Sequence, residues 1–168
     1  MNFFAILIAA LVPMVLGFIW YHPKVLGTVW MKASGMTEEK AKQGNMALKF
    51  GLSFLFSLMI AFILNTIVVH DSFIEGSLYY KTNRTMVPEP GSELAQWHEY
   101  YKTNLAADNH IFTHGAFHGF FLIGLFIALP LFATNAIFEG KGVKYVAVNA
   151  GYWMICLALM GGIIAAWR

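Results

Sequence analysis

Charged residues are scarce in this sequence. Asp, Glu, Lys and Arg make up only 12% of its 168 residues, whereas hydrophobic residues make up 58%. A soluble domain usually carries about 25% charged residues, so the composition predicts an integral membrane protein. The net charge of +2 is small, and the lysines are scattered, so we expect no nucleic-acid-binding surface.

Cysteine is nearly absent as well. The single Cys156 lies within an apolar run, which excludes a disulfide framework or a thiolate metal cluster within one chain. We expect Cys156 to be a small buried apolar side chain. The sequence also lacks a G-x-S-x-G, an H-E-x-x-H and a P-loop motif. We therefore predict no catalytic residues and favour a role other than that of an enzyme.

The sequence is rich in long apolar runs. A bilayer crossing needs about 20 apolar residues, and four segments reach that length, at residues 2–21, 47–69, 110–138 and 143–167. The first segment has neither the basic start nor the cleavage site of a signal peptide, so we predict that it is a retained helix. The predicted fold is an all-α, four-helix membrane bundle. It forms a single domain over residues 1–168, with a long insertion between the second and third helices.

The distribution of lysine predicts which side each connection occupies. Most of the lysines lie in or beside the first connection, residues 22–46, and the turn at 139–142. The positive-inside rule makes this side cytoplasmic. Both termini and the connection 70–109 then lie on the outer side. In that connection, Ser92 is a plausible N-cap for a short interfacial helix that would carry Trp97, Tyr100 and Tyr101 among the lipid headgroups, so membrane lipids are expected partners.

Three histidines recur at four-residue spacing where the third apolar run begins. His110, His114 and His118 would share one face of a helix, and an ionisable group in a membrane helix usually has a partner or a task. Neutral imidazole is a common ligand for transition metals. Because four residues rise about 6 Å, only two neighbouring members of the stripe can share an ion. We expect that pair to be His110 and His114, with His118 deeper and suited to a relay or a second site.

The other ligands of such a site are expected from the same membrane face. The predicted topology places there His70, His98, Asp71, Glu99 and Asp108. Histidine and carboxylate donors without cysteine suit zinc or non-haem iron better than Cu(I). The first functional hypothesis is therefore a membrane protein that binds or senses a metal ion at its outer face.

Two other hypotheses are kept open. In the first, the protein is an accessory or scaffold subunit of a membrane complex, or a homo-oligomer, and the same histidines bond to carbonyls, to Asn65 or to a partner protein. In the second, it is a small transporter or proton relay. The absence of an internal repeat and the few intramembrane charges weaken that hypothesis.

Small residues predict close helix packing beside the histidines. Gly115 and Gly119 form a small-xxx-small pair on the third helix, and Gly161 and Gly162 are candidate counterparts on the fourth. Such packing would bury the neighbouring imidazoles.

A second concentration of polar and aromatic residues lies at the inner face. Its members are Trp20, Tyr21, Trp30, Asn135, Glu139, Asn149 and Tyr152. Amide side chains in lipid need partners, so we expect Asn135 and Asn149 to bond across the third and fourth helices. A small-molecule or lipid-headgroup site is the alternative.

Part of this inner-face sequence carries a family resemblance. The stretches GFIWYHPKVLGTVWMKASG, at Gly17–Gly35, and ATNAIFEGKGVKYVAVNAGYWMICLALMGGIIAAW, at Ala133–Trp167, resemble the bacterial membrane family known as domain of unknown function 1761. The resemblance implies a small four-helix protein of the bacterial inner membrane, and it implies no activity or catalytic residue. In that membrane, the lysine distribution predicts that both termini are periplasmic. The long acidic connection looks like an addition to the family's shorter loop. We therefore expect the histidine stripe to be a specialisation of this protein.

Overall fold

The computed structural model describes residues 2–167, leaving aside the side chains of Ser72 and Asn109. In chain order the α-helices are α1 (Phe3–Trp20), α2 (Thr28–Ser34), α3 (Glu38–Lys42), α4 (Met46–Val68), α5 (Asp71–Lys81), α6 (Glu93–Asn104), α7 (Phe112–Phe117), α8 (Leu129–Phe138) and α9 (Val143–Ala166). Pro23–Gly27 and His118–Ala128 are π-helical, and Ala106–Asn109 is a 3₁₀ turn. No strand occurs in the described part of the chain, so the all-α prediction is confirmed.

Four helices are long and apolar enough to cross a membrane, as predicted. They are α1, α4, the continuous rod Phe112–Phe138 and α9. We call the rod the third crossing. It joins α7, the π-helical stretch and α8. The π-helical stretch ends two residues before Pro130, which lacks the N–H that a regular helix would use there.

Side-chain caps fix where several helices begin. The side-chain oxygen of Asn2 accepts from the backbone N–H groups of Phe4 and Ala5 at 3.0 and 3.1 Å. Asn45 does the same for α4, and Ser92 for α6. Each cap satisfies a donor that the first helical turn leaves unpaired. The predicted start of a helix at Ser92 is therefore observed.

The fourth crossing, α9, forms the centre of the bundle. It packs against α1, α4 and the third crossing, and Cys156 and Met160 on it are fully buried. Cys156 is thus the buried apolar side chain that the sequence predicts. The other crossings turn large apolar side chains outward, as expected of helices that face lipid.

The bundle has two chemically different ends. At one end, the amide of Asn2 donates to the carbonyl oxygen of Trp167, 3.4 Å away, so the start of α1 meets the end of α9. The end of α4 and the start of α7 lie there too, because His70 contacts His114. We call this the histidine end. The opposite end, which carries Trp20 and Tyr21, is called the aromatic end.

The connection between α4 and α7 is mostly helical. On α6, the side chains of Trp97 and Tyr100 are 45% and 58% exposed, whereas that of Tyr101 is only 7% exposed. Of the three side chains predicted to lie among the headgroups, Tyr101 is thus buried within the protein. Its hydroxyl points inward and donates to Asp71 at 2.6 Å.

Candidate metal centre

Three imidazoles from two segments of the chain converge at the histidine end. His70 follows α4, His114 lies on α7, and His118 begins the π-helical stretch. Each residue offers one ring nitrogen, and these nitrogens all lie within 4.8 Å of one another. The ring centroids are 4.9 Å apart for His70 and His114, 5.2 Å for His70 and His118, and 4.3 Å for His114 and His118. We call this group the histidine triad.

Backbone contact between helices holds the triad together. A Cβ atom added to Gly115 would overlap the backbone of Gly161 on α9, and one added to Gly119 would overlap the carbonyl of Leu157. Only glycine permits such close approach of two helix backbones. We call the contact of Gly115 and Gly119 with the backbone of α9 the glycine seam. Each of these two glycines directly follows a triad histidine in sequence, so the glycine seam fixes the backbone of His114 and His118 against α9.

The same seam positions His70. A Cβ atom on Gly161 would lie 3.4 Å from a methyl carbon of Val68, which is the last residue of α4. Val69 then adopts an extended conformation, with φ −107° and ψ 96°, and this breaks the helix just before His70. The end of α4 and the start of α7 thus meet over one short stretch of α9, which brings His70 opposite His114. Gly162, the other predicted packing residue, faces the ring of Phe112.

The hydrogen bond of His118 determines which of its nitrogens is available. Its Nδ1 lies 3.0 Å from the backbone carbonyl oxygen of His114. A carbonyl only accepts, so Nδ1 carries the proton and Nε2 of His118 keeps its lone pair. Histidines that bind metals commonly donate from their second nitrogen in this way.

His114 presents a buried nitrogen that no hydrogen bond satisfies. Its Nε2 is inaccessible to solvent and has no partner among the described atoms. Leaving a buried polar atom unpaired costs about 1–3 kcal/mol, so such atoms in folded proteins call for an explanation. The amide nitrogen of Asn65 is likewise unpaired within the described residues. This amide nitrogen therefore does not supply the bond to the histidines that the hypothesis of an accessory or scaffold subunit expects.

His110 stands apart from the triad. Its Nε2 lies 2.8 Å from one carboxylate oxygen of Asp71, and the hydroxyl of Tyr101 donates to the other. The structure thus brings His114 and His118 together with His70, rather than with His110. The physical reason is that Ile111 is extended, with φ −123° and ψ 147°. The helix begins only after it, and His110 does not continue the four-residue stripe.

The remaining candidate ligands also lie outside the triad. His98 is half-buried on α6, while Glu99 and Asp108 are exposed. Glu99 accepts a 3.4 Å bond from Thr103, one turn further along its own helix. Among the residues that the structure describes, no further His, Cys, Asp or Glu joins the group of three.

Asn149 is the centre of the polar cluster at the aromatic end. Its side-chain oxygen accepts from the hydroxyl of Tyr21 and from the indole of Trp30, each at 3.2 Å. Its amide donates to the carbonyl of Tyr145 at 2.8 Å. The expected bond between Asn149 and Asn135 is not formed. The Asn135 side chain is exposed, and Tyr21 and Trp30 already donate to the side-chain oxygen of Asn149.

Of the other members of the predicted inner-face cluster, Trp20 and Tyr152 bond to backbone carbonyls, whereas Glu139 faces outward. The indole of Trp20 donates to the carbonyl of Val148 at 3.1 Å, and the hydroxyl of Tyr152 donates to the carbonyl of Pro13. Glu139 is exposed. Burial raises the pKa of the Tyr21 phenol above its usual range, so the hydroxyl stays protonated and can donate. These contacts tie the first connection and α1 to α9.

The similarity of this chain to known proteins is seen at the level of the family. Neither the curated proteins nor the solved structures include a match. Residues 4–165 do match the family described as "Protein of unknown function (DUF1761)". Because the match covers nearly the whole chain, the protein belongs to the DUF1761 family.

Proposed function

We propose that this membrane protein binds a transition-metal ion through His70, His114 and His118. The observation that supports the proposal best is the convergence of three histidines, each of which offers one ring nitrogen within 4.8 Å of the others. His114 also holds a buried Nε2 that has no hydrogen-bond partner among the described atoms. An ion bound through Nε2 of His114 would satisfy that atom. It would also use the lone pair that the hydrogen bond to the His114 carbonyl leaves on His118.

The distances between the three ring nitrogens suit a metal ion if the nitrogens move slightly closer together. In a tetrahedral zinc site with bonds of about 2.0–2.1 Å, the ligand nitrogens lie about 3.4 Å apart. Nitrogens within 4.8 Å reach that separation by small side-chain rotations, while the glycine seam keeps the backbone in place. The donor set consists of imidazoles without thiolates, which suits zinc or non-haem iron. Zinc is the first ion to test, because it favours tetrahedral sites.

The proposal includes an orientation. The lysine-rich connection and the short turn before α9 lie at the aromatic end. By the positive-inside rule, we therefore expect the triad at the outer face. In a bacterial inner membrane the triad would then face the periplasm, and both termini would lie there. Reporter fusions at each terminus test this orientation: activity of a periplasm-specific reporter supports it, and activity of a cytoplasm-specific reporter contradicts it.

Equilibrium zinc binding tests the site. The purified protein in detergent is loaded with zinc and freed of excess metal, and the bound zinc is measured per chain. We expect about one zinc ion per chain in the wild type. We expect a loss of at least about tenfold in affinity for His70→Ala, His114→Ala and His118→Ala, since each removes one of three ligands.

His98→Ala is the matched control, because it removes another outer histidine that lies outside the triad. It should bind zinc as the wild type does. Far-ultraviolet circular dichroism establishes that each variant keeps its helices. Zinc bound equally by all the variants, or by none of the proteins, would contradict the proposal and favour an accessory subunit in a membrane complex.

A further inference from the structure

The histidine triad supplies three ligands, and a tetrahedral ion takes four. Within the described residues, no fourth His, Cys, Asp or Glu lies close enough to complete the set. Among the described residues, the number of such donors is therefore one fewer than zinc accepts.

Asp71 is the carboxylate nearest to the triad in sequence, since it follows His70. Both of its oxygens are already engaged. One accepts from the Tyr101 hydroxyl at 2.6 Å, and the other lies 2.8 Å from Nε2 of His110. Moving Asp71 onto the metal would break both contacts. These contacts hold Asp71 away from the role of fourth ligand.

The backbone that carries His114 and His118 has little room to move toward a more distant ligand. Gly115 and Gly119 lie against the backbone of α9 with no room for a Cβ atom. The acidic side chain of Glu75 on α5 and that of Glu99 on α6 are exposed. Neither carboxylate belongs to the group of converging donors.

We infer that the triad leaves one coordination position of a bound ion open to a small anion from outside the chain. The inference rests on the proposed function. Three neutral imidazoles do not reduce the charge of a divalent ion, and an unpaired charge at the edge of an apolar bundle is costly. An anion in the fourth position pairs with that charge.

The surroundings of the triad restrict the size of this anion. The ring of Phe117 lies 5.9 Å from that of His118, measured between centroids, and the ring of Phe112 packs on Gly162. The ring of Phe117 and the close backbone contact at Gly115 and Gly119 thus border the site on the side of the third crossing. An anion of a few atoms, such as azide, fits this description better than a large organic acid.

Cobalt substitution with an azide titration tests the inference. Co²⁺ takes the same ligands as zinc, and its visible spectrum reports the ligand set. The full-length protein in detergent is loaded with one equivalent of Co²⁺ and titrated with azide. We expect a saturable change in the position and intensity of the visible bands, with the same change in His98→Ala.

The two possible failures are distinguishable. If cobalt binds at one equivalent and His118→Ala abolishes its spectrum, but azide leaves the wild-type spectrum unchanged, the open position is wrong and the metal site stands. If cobalt does not bind at all, both the metal site and the open position are overturned.

Discussion

The backbone carbonyl of His114 accepts a hydrogen bond from Nδ1 of His118, 3.0 Å away. This single bond links two members of the triad and assigns the proton on one of them. It leaves Nε2 of His118 with its lone pair, while the neighbouring His114 holds a buried Nε2 without a hydrogen-bond partner among the described atoms. Both histidines lie against the third, His70, whose ring centroid is 4.9 Å from that of His114 and 5.2 Å from that of His118.

The glycine seam should be essential to both stability and metal binding. Gly119→Ala places a methyl group against the Leu157 carbonyl, and a backbone carbonyl cannot turn aside as a side chain can. We expect a loss of about 1–3 kcal/mol in the free energy of unfolding. Zinc affinity should fall too, because the third crossing must move away from α9 at His118. Thermal unfolding followed by circular dichroism and zinc titration measure the two effects.

Gly51→Ala provides the matched control on α4. A Cβ atom there has no neighbour within 4 Å, and alanine is favoured over glycine in a helix by about 1 kcal/mol. We expect this variant to be as stable as the wild type or slightly more stable, with unchanged zinc binding. Equal stability of Gly119→Ala and Gly51→Ala would contradict the close contact of the two helices.

Asn149→Ala should weaken the aromatic end. The substitution leaves the Tyr21 hydroxyl and the Trp30 indole without their shared acceptor. Partly buried donors that lose their partner cost about 1–3 kcal/mol, so the melting temperature should fall. Asn135→Ala is the control. Its side chain is exposed, and we expect an effect within about 0.5 kcal/mol. A larger effect at Asn135 than at Asn149 would refute the observed partners.

Tyr101→Phe should loosen α6 without affecting metal binding. It removes the 2.6 Å bond to Asp71, and a hydrogen bond to a charged group contributes about 1.5–3 kcal/mol. Amide hydrogen exchange in Glu93–Asn104 should therefore accelerate by about tenfold or more, since 1.4 kcal/mol corresponds to a factor of ten. Zinc stoichiometry should not change, because Asp71 and His110 lie outside the triad.

Tyr100→Phe is the neighbouring control, since its ring is 58% exposed. It should exchange as the wild type does. A loss of zinc in Tyr101→Phe would show that the network around Asp71 belongs to the metal site, which would contradict a site made by the triad alone.

The sequence predicts the crossings well because their signal is local. An apolar run of bilayer length is sufficient to predict a helix. The observed crossing Phe3–Trp20 is one residue shorter at each end than the predicted span 2–21. The crossing Val143–Ala166 begins where predicted and ends one residue before the predicted end at 167. The presence of α6 after Ser92 is predicted for the same reason, since an N-cap and helix-forming residues are adjacent in the chain.

The arrangement of the site could be predicted only in part. The four-residue spacing identifies His114 and His118 as neighbours, and the topology places His70 at the same end. The spacing alone cannot show that Ile111 is extended and removes His110 from the stripe. Nor can it show that Trp30 meets Asn149, because 119 residues separate them in the chain.

X-ray absorption at the zinc edge tests the central claim most directly. The spectrum of the zinc-loaded protein reports the number of imidazole ligands through scattering from the outer ring atoms. We predict three imidazoles at about 2.0–2.1 Å in the wild type and in His110→Ala, and two in His70→Ala, where enough zinc binds to measure. A first shell without imidazole, or one that loses a histidine in His110→Ala but not in His70→Ala, would contradict the account.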